Sequence, residues 1–219
     1  SKRKGLSNNT VLSLFEDVDN NIWLGLDNGI NCINMNSPYR IFNDDKGTIG
    51  TVYASVAYMG NLYLGTNQGL FFKKLNSDDS FKFIEGTQGQ VWNLIVIDDE
   101  LFCGHNIGTL IVKGGEFKIV EMSDGTWNTT KVPNHKNLLI QGKYNGLNIL
   151  EKVNNKWQLR NKIAGFKNAS RFVEWYKGTE YFINHEYKGV FKVTLNSEFT
   201  SVTNVVKEVT AKNGIHSSL

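Results

Sequence analysis

Short apolar segments recur along the chain, and most are followed by a turn that contains two glycines. Two adjacent apolar residues precede the first glycine, as in Ile22-Trp23 and Leu62-Tyr63. Paired apolar residues indicate a strand that is buried on both faces, and glycine lets the turn adopt positive φ. The closing glycines recur at a spacing of roughly 40 residues, which is the size of a propeller blade. They are Gly29, Gly69, Gly108, Gly146 and Gly189.

Each copy carries four predicted strands. A first strand precedes the apolar pair, and an aromatic fourth strand ends the copy, as at Tyr39 to Phe42. The fifth copy is weaker, with His185 in place of the first glycine. The predicted first strands are Val11 to Phe15, Val52 to Tyr58, Val91 to Ile97, Thr129 to Val132 and Phe172 to Tyr176. A fixed period without helical periodicity favours a propeller over a sandwich. We therefore predict an all-β fold, a β-propeller segment of about five four-stranded blades, with essentially no helix.

The repeat also sets the expected domain organisation. We place the propeller at residues 5–210, with blades at 5–44, 45–86, 87–125, 126–166 and 167–210. Residues 211–219 resemble the start of a truncated next repeat, so we expect an incomplete part of a larger propeller. The terminal blades of such an arc would expose apolar faces that a neighbour normally covers. Two arrangements would cover these faces: five blades could close into a small ring, or open arcs could pair through their ends as a homodimer. We expect the open arc.

Composition and charge narrow the function classes. A formal net charge of +3 over 219 residues is too small to favour nucleic acid, so we expect no direct nucleic-acid contact. No apolar run reaches the length of a membrane span, and we expect membrane attachment only through parts of a longer protein outside this sequence. Cys32 and Cys103 stand at different repeat positions, as small apolar fillers, and the four histidines lie far apart. We expect neither a metal nor a cofactor.

One segment has the acidic spacing with which a calcium loop begins, namely Asp17–Asn21. Its sixth position is Ile22, where an EF-hand needs glycine, and its twelfth is Asn28, where an EF-hand needs glutamate. We interpret the segment as a polar hairpin turn between two strands.

The first repeat also carries a distinctive motif. Residues 5–9 have the sequence Gly-Leu-Ser-Asn-Asn and lead into an apolar strand that is followed by Asp17. The segments Ile22–Gly25 and Asn28–Ile30 come next. This order closely resembles the two-component-regulator propeller repeat. The second repeat keeps Tyr63–Thr66, while the later repeats keep the glycines and the apolar frame.

The resemblance implies a function and a cellular location. Such repeats usually form paired propellers in the periplasmic part of membrane-spanning regulators, with a membrane helix and an intracellular output domain. The output is a histidine kinase, often in a hybrid protein, or a LuxR-type helix-turn-helix. The segment Leu64–Leu70 is most similar to the helix-turn-helix subgroup. Some family members bind glycan fragments. We therefore expect a periplasmic sensor propeller for signal transduction that is not itself an enzyme.

Two sets of repeat positions are informative. Trp23, Tyr63 and Phe102 share one position, which predicts that they form inter-blade core. The residues beside each first strand differ among the copies, and in propellers this strand lines the central channel and one face. Polar and aromatic side chains that converge there predict a site for a small molecule or an oligosaccharide. The alternative is that they only line the channel and contact water. The candidate ligand-binding residues are Asn9, Tyr53, Gln90, Trp92, Trp127, Asn128 and Arg171.

Two further functions stay open, because a fold does not determine a function. The propeller could carry an enzyme, such as a lyase or another glycan-active enzyme, or it could be a structural scaffold that docks a partner protein. No carboxylate pair and no nucleophile–base set recurs at the channel-facing positions, so we predict no catalytic residue. The sequence favours an extracytoplasmic sensing or interaction propeller of a signalling or transcription regulator.

Overall fold

The computed structural model describes residues 5–38, 47–77 and 79–207. In these residues all regular elements are β-strands, which form five antiparallel sheets. Four sheets have four strands and one has three. No helix that is long and apolar enough to cross a membrane occurs in this described part. The all-β prediction is confirmed for these residues.

The chain divides into two compact units, Ser1–Thr48 and Ile49–Leu219. The first unit holds a three-stranded meander, blade 1. Its strands are β1 (Val11–Glu16), β2 (Asn21–Leu26) and β3 (Ile30–Asn34). The fourth strand predicted at Tyr39 to Phe42 lies outside the described residues, and so does the predicted truncated repeat at 211–219.

The second unit contains four meanders of four consecutive strands, blades 2 to 5. Blade 2 is β4 (Val52–Tyr58), β5 (Asn61–Thr66), β6 (Leu70–Lys74) and β7 (Lys82–Phe83). Blade 3 is β8 (Val91–Ile97), β9 (Glu100–His105), β10 (Gly108–Lys113) and β11 (Glu116–Glu121). Blade 4 is β12 (Thr126–Lys131), β13 (Leu138–Lys143), β14 (Gly146–Val153) and β15 (Lys156–Lys162). Blade 5 is β16 (Phe172–Lys177), β17 (Glu180–His185), β18 (Gly189–Leu195) and β19 (Val202–Lys207).

Apolar clusters hold blades 2 to 5 together, one at each joint. Tyr63 of blade 2 packs in a cluster with Leu94 of blade 3. Phe102 of blade 3 packs with Leu139 and Trp157 of blade 4. The rings of Tyr63 and Phe102 are fully buried, which confirms that these two residues form inter-blade core.

Trp23 departs from that prediction. It is 43% exposed, and its indole N–H donates a 2.8 Å hydrogen bond to the carboxylate of Asp17. The same carboxylate accepts from the backbone N–H of Asp19 and of Asn21. The hydrogen bonds from Trp23 and Asn21 lower the pKa of Asp17 to about 2. The segment is therefore the expected polar hairpin turn. The hydrogen bond from the Trp23 indole to Asp17 stabilises this turn.

The two glycines of the repeat turn have different roles. The closing Gly146 has a φ of +90°, as expected. The first glycines Gly104 and Gly142 do not have positive φ, so the turn explanation is wrong for them. A Cβ atom on Gly142 would overlap the carbonyl oxygen of Ser170, and one on Gly104 would lie 2.8 Å from that of Thr126. Glycine is needed here because the next blade begins against this backbone.

The strand register corrects the alignment of the fifth repeat. His185 pairs with Gly189 in the same way that His105 pairs with Gly108. The position of the first glycine is therefore held by Asn184, and the prediction that His185 replaces this glycine is wrong by one residue. The fifth copy lacks a glycine at this point, and this lack had obscured the register.

A β-bulge lies near the beginning of the first strand in blades 1 to 4, where the register shifts after the first residue. In blade 4 the bulge lets pairing begin at Thr126, three residues before the predicted Thr129. Trp127 and Asn128 thus lie within β12 and not before it. A bulge adds one residue without a partner and redirects its side chain.

Candidate functional site

The unpaired bulge residue has a large side chain in blades 2, 3 and 4. It is Tyr53, Trp92 or Trp127, respectively. In blade 5 the register puts Arg171 at the equivalent place, directly before β16. Because the four positions are equivalent, the four side chains lie along one edge of the blades.

The aromatic side chains pack into a row of mutually tilted rings, which we call the aromatic ladder and which consists of Tyr53, Trp92, Trp127 and Tyr144. The ring centroids are 4.8 Å apart for Tyr53 and Trp92, and 4.5 Å apart for Trp92 and Trp127. Tyr144 follows at 5.0 Å from Trp127. Aromatic pairs at such distances contribute about 0.5–1.5 kcal/mol each beyond their burial. The ladder thus ties blade 2 to blade 3 and blade 3 to blade 4.

A cation closes the row at blade 5. The guanidinium carbon of Arg171 lies 5.4 Å from the ring centroid of Trp127 and 5.6 Å from that of Phe172. Arg171 also forms an ion pair with Glu186 at 3.2 Å, and both side chains are partly exposed. Arginine over tryptophan is a cation–π contact, whereas an ion pair this exposed adds little stability. The ladder and Arg171 form one surface across four blades.

Two buried polar atoms beside the ladder have no hydrogen-bond partner among the described residues. They are Nε1 of Trp127 and Oδ2 of Asp124. The other carboxylate oxygen of Asp124 accepts the backbone N–H of Gly125 at 2.8 Å. A buried polar atom without a partner costs about 1–3 kcal/mol. The site therefore contains one hydrogen-bond donor and one acceptor without a partner among the described residues.

Four of the candidate residues meet at this surface: Tyr53, Trp92, Trp127 and Arg171. The other three have different settings. Gln90 donates its backbone N–H to the Asn106 side chain at 3.2 Å, Asn128 pairs with Gly142 between strands, and Asn9 is exposed in the first unit before β1. Ligand binding by any of these residues stays a prediction.

Sequence reasoning missed Tyr144 and Glu186, which complete the surface. Both stand at one repeat position, two residues after the place of the first glycine. The same position is polar in the earlier copies, where it holds Asp27, Asn67 and Asn106. This run of polar residues was a usable signal, because the position faces the same edge in every blade.

A buried ionic network adjoins the ladder at the joint of blades 3 and 4. Lys143 precedes Tyr144 in the chain, and Thr126 precedes Trp127. The Lys143 ammonium donates to the Glu121 carboxylate, and also to the Thr126 hydroxyl at 2.7 Å. The side chains of Lys143 and Glu121 are 1% and 3% exposed. Sequence reasoning did not find this pair, since its partners lie in different blades.

Hydrogen bonds keep Glu121 ionised. Burial alone would raise its pKa, but the hydrogen bonds from Lys143 and Ser123 outweigh burial and hold the pKa of this carboxyl below its usual value of 4.5. The Thr109 hydroxyl donates to Glu121 at 3.0 Å, and the Gln141 amide donates to Thr109 at 2.7 Å. Removing one partner of such a buried pair leaves an uncompensated charge. The network therefore holds blades 3 and 4 in one arrangement.

The two cysteines lie in different environments. Cys103 is buried, and burial raises the pKa of its thiol to about 12, as suits an apolar filler. Cys32 is exposed in β3, so the prediction of a small apolar filler is wrong for this residue. Within residues 5–38, 47–77 and 79–207, no cluster of three or more histidine, cysteine, aspartate or glutamate side chains could hold a metal ion.

Residues 5–28 match the family model described as two component regulator propeller. The predicted resemblance is confirmed. This segment contains Asp17 and Trp23, whose hydrogen bond braces the first hairpin. No curated protein sequence matches the chain.

Solved structures that are similar to the chain include extracellular domains of hybrid two component systems. The extracellular domain of the hybrid two component system BT3049 from B. thetaiotaomicron is 16% identical, with a TM-score of 0.61 over 96% of this chain and 30% of that chain. The extracellular domain of the hybrid two component system BT4673 from the same organism is also 16% identical. Its TM-score is 0.54 over 90% of this chain and 28% of that chain. The WD40 beta propeller domain of Doa1 is 12% identical, with a TM-score of 0.53 over 90% of this chain and 65% of that domain.

These likenesses show the fold, which is that of a β-propeller, as predicted. The chain spans 28% to 30% of the length of the two extracellular domains.

Proposed function

We propose that this chain is part of the extracytoplasmic sensing or interaction propeller of a membrane-spanning regulator. The repeat matched at residues 5–28 supports this function, and so does the fold shared with two extracellular domains of hybrid two component systems. The location that we propose is the periplasm. Membrane contact, and an output domain that is a kinase or a helix-turn-helix, would belong to other parts of a longer protein.

The aromatic ladder is the proposed ligand site, and the packing of its tilted rings across blades is the observation that carries the proposal. Trp92 lies within ring-contact distance of both Tyr53 and Trp127, Tyr53 is 43% exposed and the Arg171 side chain is 40% exposed. A small molecule or an oligosaccharide would lie along the ladder, with an apolar face on Tyr53 and polar groups at Arg171 and Glu186. Apolar rings with a few placed polar groups are typical of ligand sites.

Ligand binding would act by changing how the blades are arranged relative to one another. Tyr53, Trp92 and Trp127 belong to three different blades, so a ligand that contacts all three binds one inter-blade arrangement better than another. A ligand shifts a conformational equilibrium by its difference in affinity for the two states. The proposed mechanism is such a shift in population, transmitted to the output domain.

The test measures oligosaccharide binding to the purified protein, and it detects this binding by thermal unfolding and by tryptophan fluorescence. Trp92→Leu removes the centre of the ladder. Trp175→Leu is the matched control, because this tryptophan is 46% exposed in β16 and donates to the Gly178 carbonyl at 3.0 Å. We expect the wild type and the control to bind, and Trp92→Leu to bind at least about tenfold more weakly. Equal affinity in both variants would rule out the ladder as the site.

Catalysis is the rival function. Most glycoside hydrolases use a pair of carboxylates that flank the scissile bond, and the carboxylates described beside the ladder are Asp124, which accepts the Gly125 N–H, and Glu186, which is paired with Arg171. Incubation with the same oligosaccharides and chromatography of the products tests this point. Turnover that Glu186→Gln abolishes would make the protein an enzyme and would overturn the sensor proposal.

A further inference from the structure

A cleft lies at the edge of blades 4 and 5 that is opposite to the ladder. Each first strand begins at the ladder edge, so the turn that follows β12 lies at the other edge, and so does the turn between β18 and β19. The cleft between these turns has a volume of about 450 Å³. Its walls include His135, Lys136, Glu151, Arg160, Glu198 and Phe199.

Hydrogen bonds and ring packing fix the walls of this cleft. The backbone N–H of His135 and that of Phe199 each donate to the carbonyl three residues earlier, at 3.1 and 3.0 Å. The two rings meet edge to face, with centroids 5.1 Å apart. The Arg160 guanidinium donates to the Glu198 carbonyl, which joins blade 4 to the turn of blade 5. A preformed cleft loses little conformational freedom when a ligand binds.

The charged side chains in the cleft do not neutralise one another. Neither the Glu151 carboxylate nor the Lys136 ammonium has a hydrogen bond or an ion pair with any residue that the structure describes. The Arg160 guanidinium binds two uncharged oxygens, the Glu198 carbonyl and the Asn161 amide oxygen. Glu151 and Arg160 are half-buried. Unpaired charges of both signs in one cleft favour a ligand that carries both signs.

We propose that this cleft binds a small zwitterion of amino-acid or dipeptide size, with its carboxylate at Arg160 and Lys136 and its ammonium at Glu151. The volume is in the range of small-molecule sites, and the planar guanidinium matches a carboxylate with two parallel hydrogen bonds. The Phe199 ring gives the ligand side chain an apolar contact. The Glu151 carboxylate would repel a simple anion, and the Arg160 guanidinium would repel a simple cation. A neutral sugar would leave both charges unpaired.

This site is independent of the ladder, and so is its test. Saturation-transfer NMR of the full chain with L-leucyl-L-alanine as the probe should give signals from the free dipeptide. The N-acetylated and C-amidated form of the dipeptide should give none. Glu151→Gln and Arg160→Gln should each raise the dissociation constant at least about tenfold, because each removes a charge-assisted hydrogen bond. Trp92→Leu should leave it unchanged.

Matched controls separate the cleft from the general surface charge. Lys136→Gln, in an exposed turn, tests the cleft without risk to the fold, and Lys118→Gln and Glu174→Gln change exposed charges elsewhere. We expect weaker binding with Lys136→Gln and wild-type binding with the other two. Equal binding of the blocked dipeptide, affinity unchanged by Glu151→Gln, or absence of dipeptide binding up to about 10 mM would overturn the proposal.

Discussion

The indole N–H of Trp92 in blade 3 donates a 2.6 Å hydrogen bond to the hydroxyl of Tyr144 in blade 4. The Tyr144 ring also covers Gly125, where a Cβ atom would lie 2.6 Å from the ring. Burial raises the pKa of Tyr144, so its hydroxyl is neutral at ordinary pH. One phenol therefore joins two blades and sets the position of the ladder.

Tyr144→Phe should weaken this joint. The substitution keeps the ring but leaves the Trp92 N–H without an acceptor, beside the Trp127 N–H that already lacks one. We expect the free energy of unfolding in urea, followed by tryptophan fluorescence, to fall by about 1–2 kcal/mol. The control is Tyr176→Phe, because that ring is 49% exposed and its hydroxyl has no hydrogen bond within the described residues. It should stay within about 0.5 kcal/mol of the wild type. Equal stability of both variants would show that the Trp92 hydrogen bond adds nothing.

Lys143→Met should destabilise the protein strongly, because it leaves the buried Glu121 charge uncompensated. We expect a loss of about 3–5 kcal/mol in urea unfolding. Adding Glu121→Gln removes that charge and should recover most of the loss. Lys131→Met is the control, since its partner Asp98 at 2.5 Å is 38% exposed, and we expect less than about 1 kcal/mol.

The same pair predicts a pH dependence. The pKa of Glu121 is lowered in the folded protein, so the contribution of the pair is present above pH 4.5 and is lost as the pH falls through the lowered pKa. The stability difference between the wild type and Lys143→Met should therefore narrow in acid. A difference that is constant down to pH 3, roughly one unit below the usual glutamate pKa, would contradict an ionic pair.

His105 should make the protein less stable in weak acid. It is fully buried, its Nδ1 accepts the N–H of Ile107 at 3.3 Å, and its Nε2 lies 3.2 Å from the Thr87 carbonyl oxygen. Burial lowers the pKa of His105 below 6.5. The unfolded chain then binds the proton more readily, so stability is full above pH 6.5 and declines as the pH falls towards the lowered pKa.

His105→Thr tests this assignment with a side chain that the protein already uses. Thr66 holds the same repeat position in blade 2, and its hydroxyl accepts the N–H of Gln68 and of Gly69 at 3.0 and 3.2 Å. The variant should keep the turn and flatten the pH dependence of urea unfolding between about pH 8 and 5.5. The pKa of His185 is also lowered by burial, and this residue contributes to the pH dependence of both the wild type and the variant. An unchanged slope in the variant would assign the titration to another group.

Local features of the sequence were enough to predict the repeat. Apolar pairs such as Leu62-Tyr63 and the closing glycines act within one hairpin, so their spacing reveals the strands. Tyr53, Trp92, Trp127 and Arg171 were found in a similar way, because they stand at one repeat position where the copies differ.

Contacts between blades could not be predicted in this way. The Trp92–Tyr144 and Glu121–Lys143 pairs join residues 52 and 22 positions apart, and single-strand patterns carry no information on such pairings. Asn184 was misaligned for the same reason, since its position is set by pairing and not by a glycine. Trp23 was assigned to a joint because its chemical partner, Asp17, had been considered only as a turn residue.

Gly142→Ala provides the sharpest test of why the first glycine recurs. An added Cβ would overlap the Ser170 carbonyl oxygen and lie 2.9 Å from a methyl carbon of Val173. Backbone of the next blade cannot rotate away, so the joint of blades 4 and 5 has to open. We expect a loss of about 3 kcal/mol or more in urea unfolding.

Two graded variants keep this prediction testable even where Gly142→Ala fails to fold. Gly104→Ala places its Cβ 2.8 Å from the Thr126 carbonyl oxygen and should lose less, because a smaller shift relieves the contact. Gly115→Ala meets only the Phe72 ring, at 3.1 Å, and does not have positive φ. It should lose about 1 kcal/mol or less, because a side chain can move. Equal losses in all three would show that chain flexibility, and not the approach of the next blade, explains the first glycine.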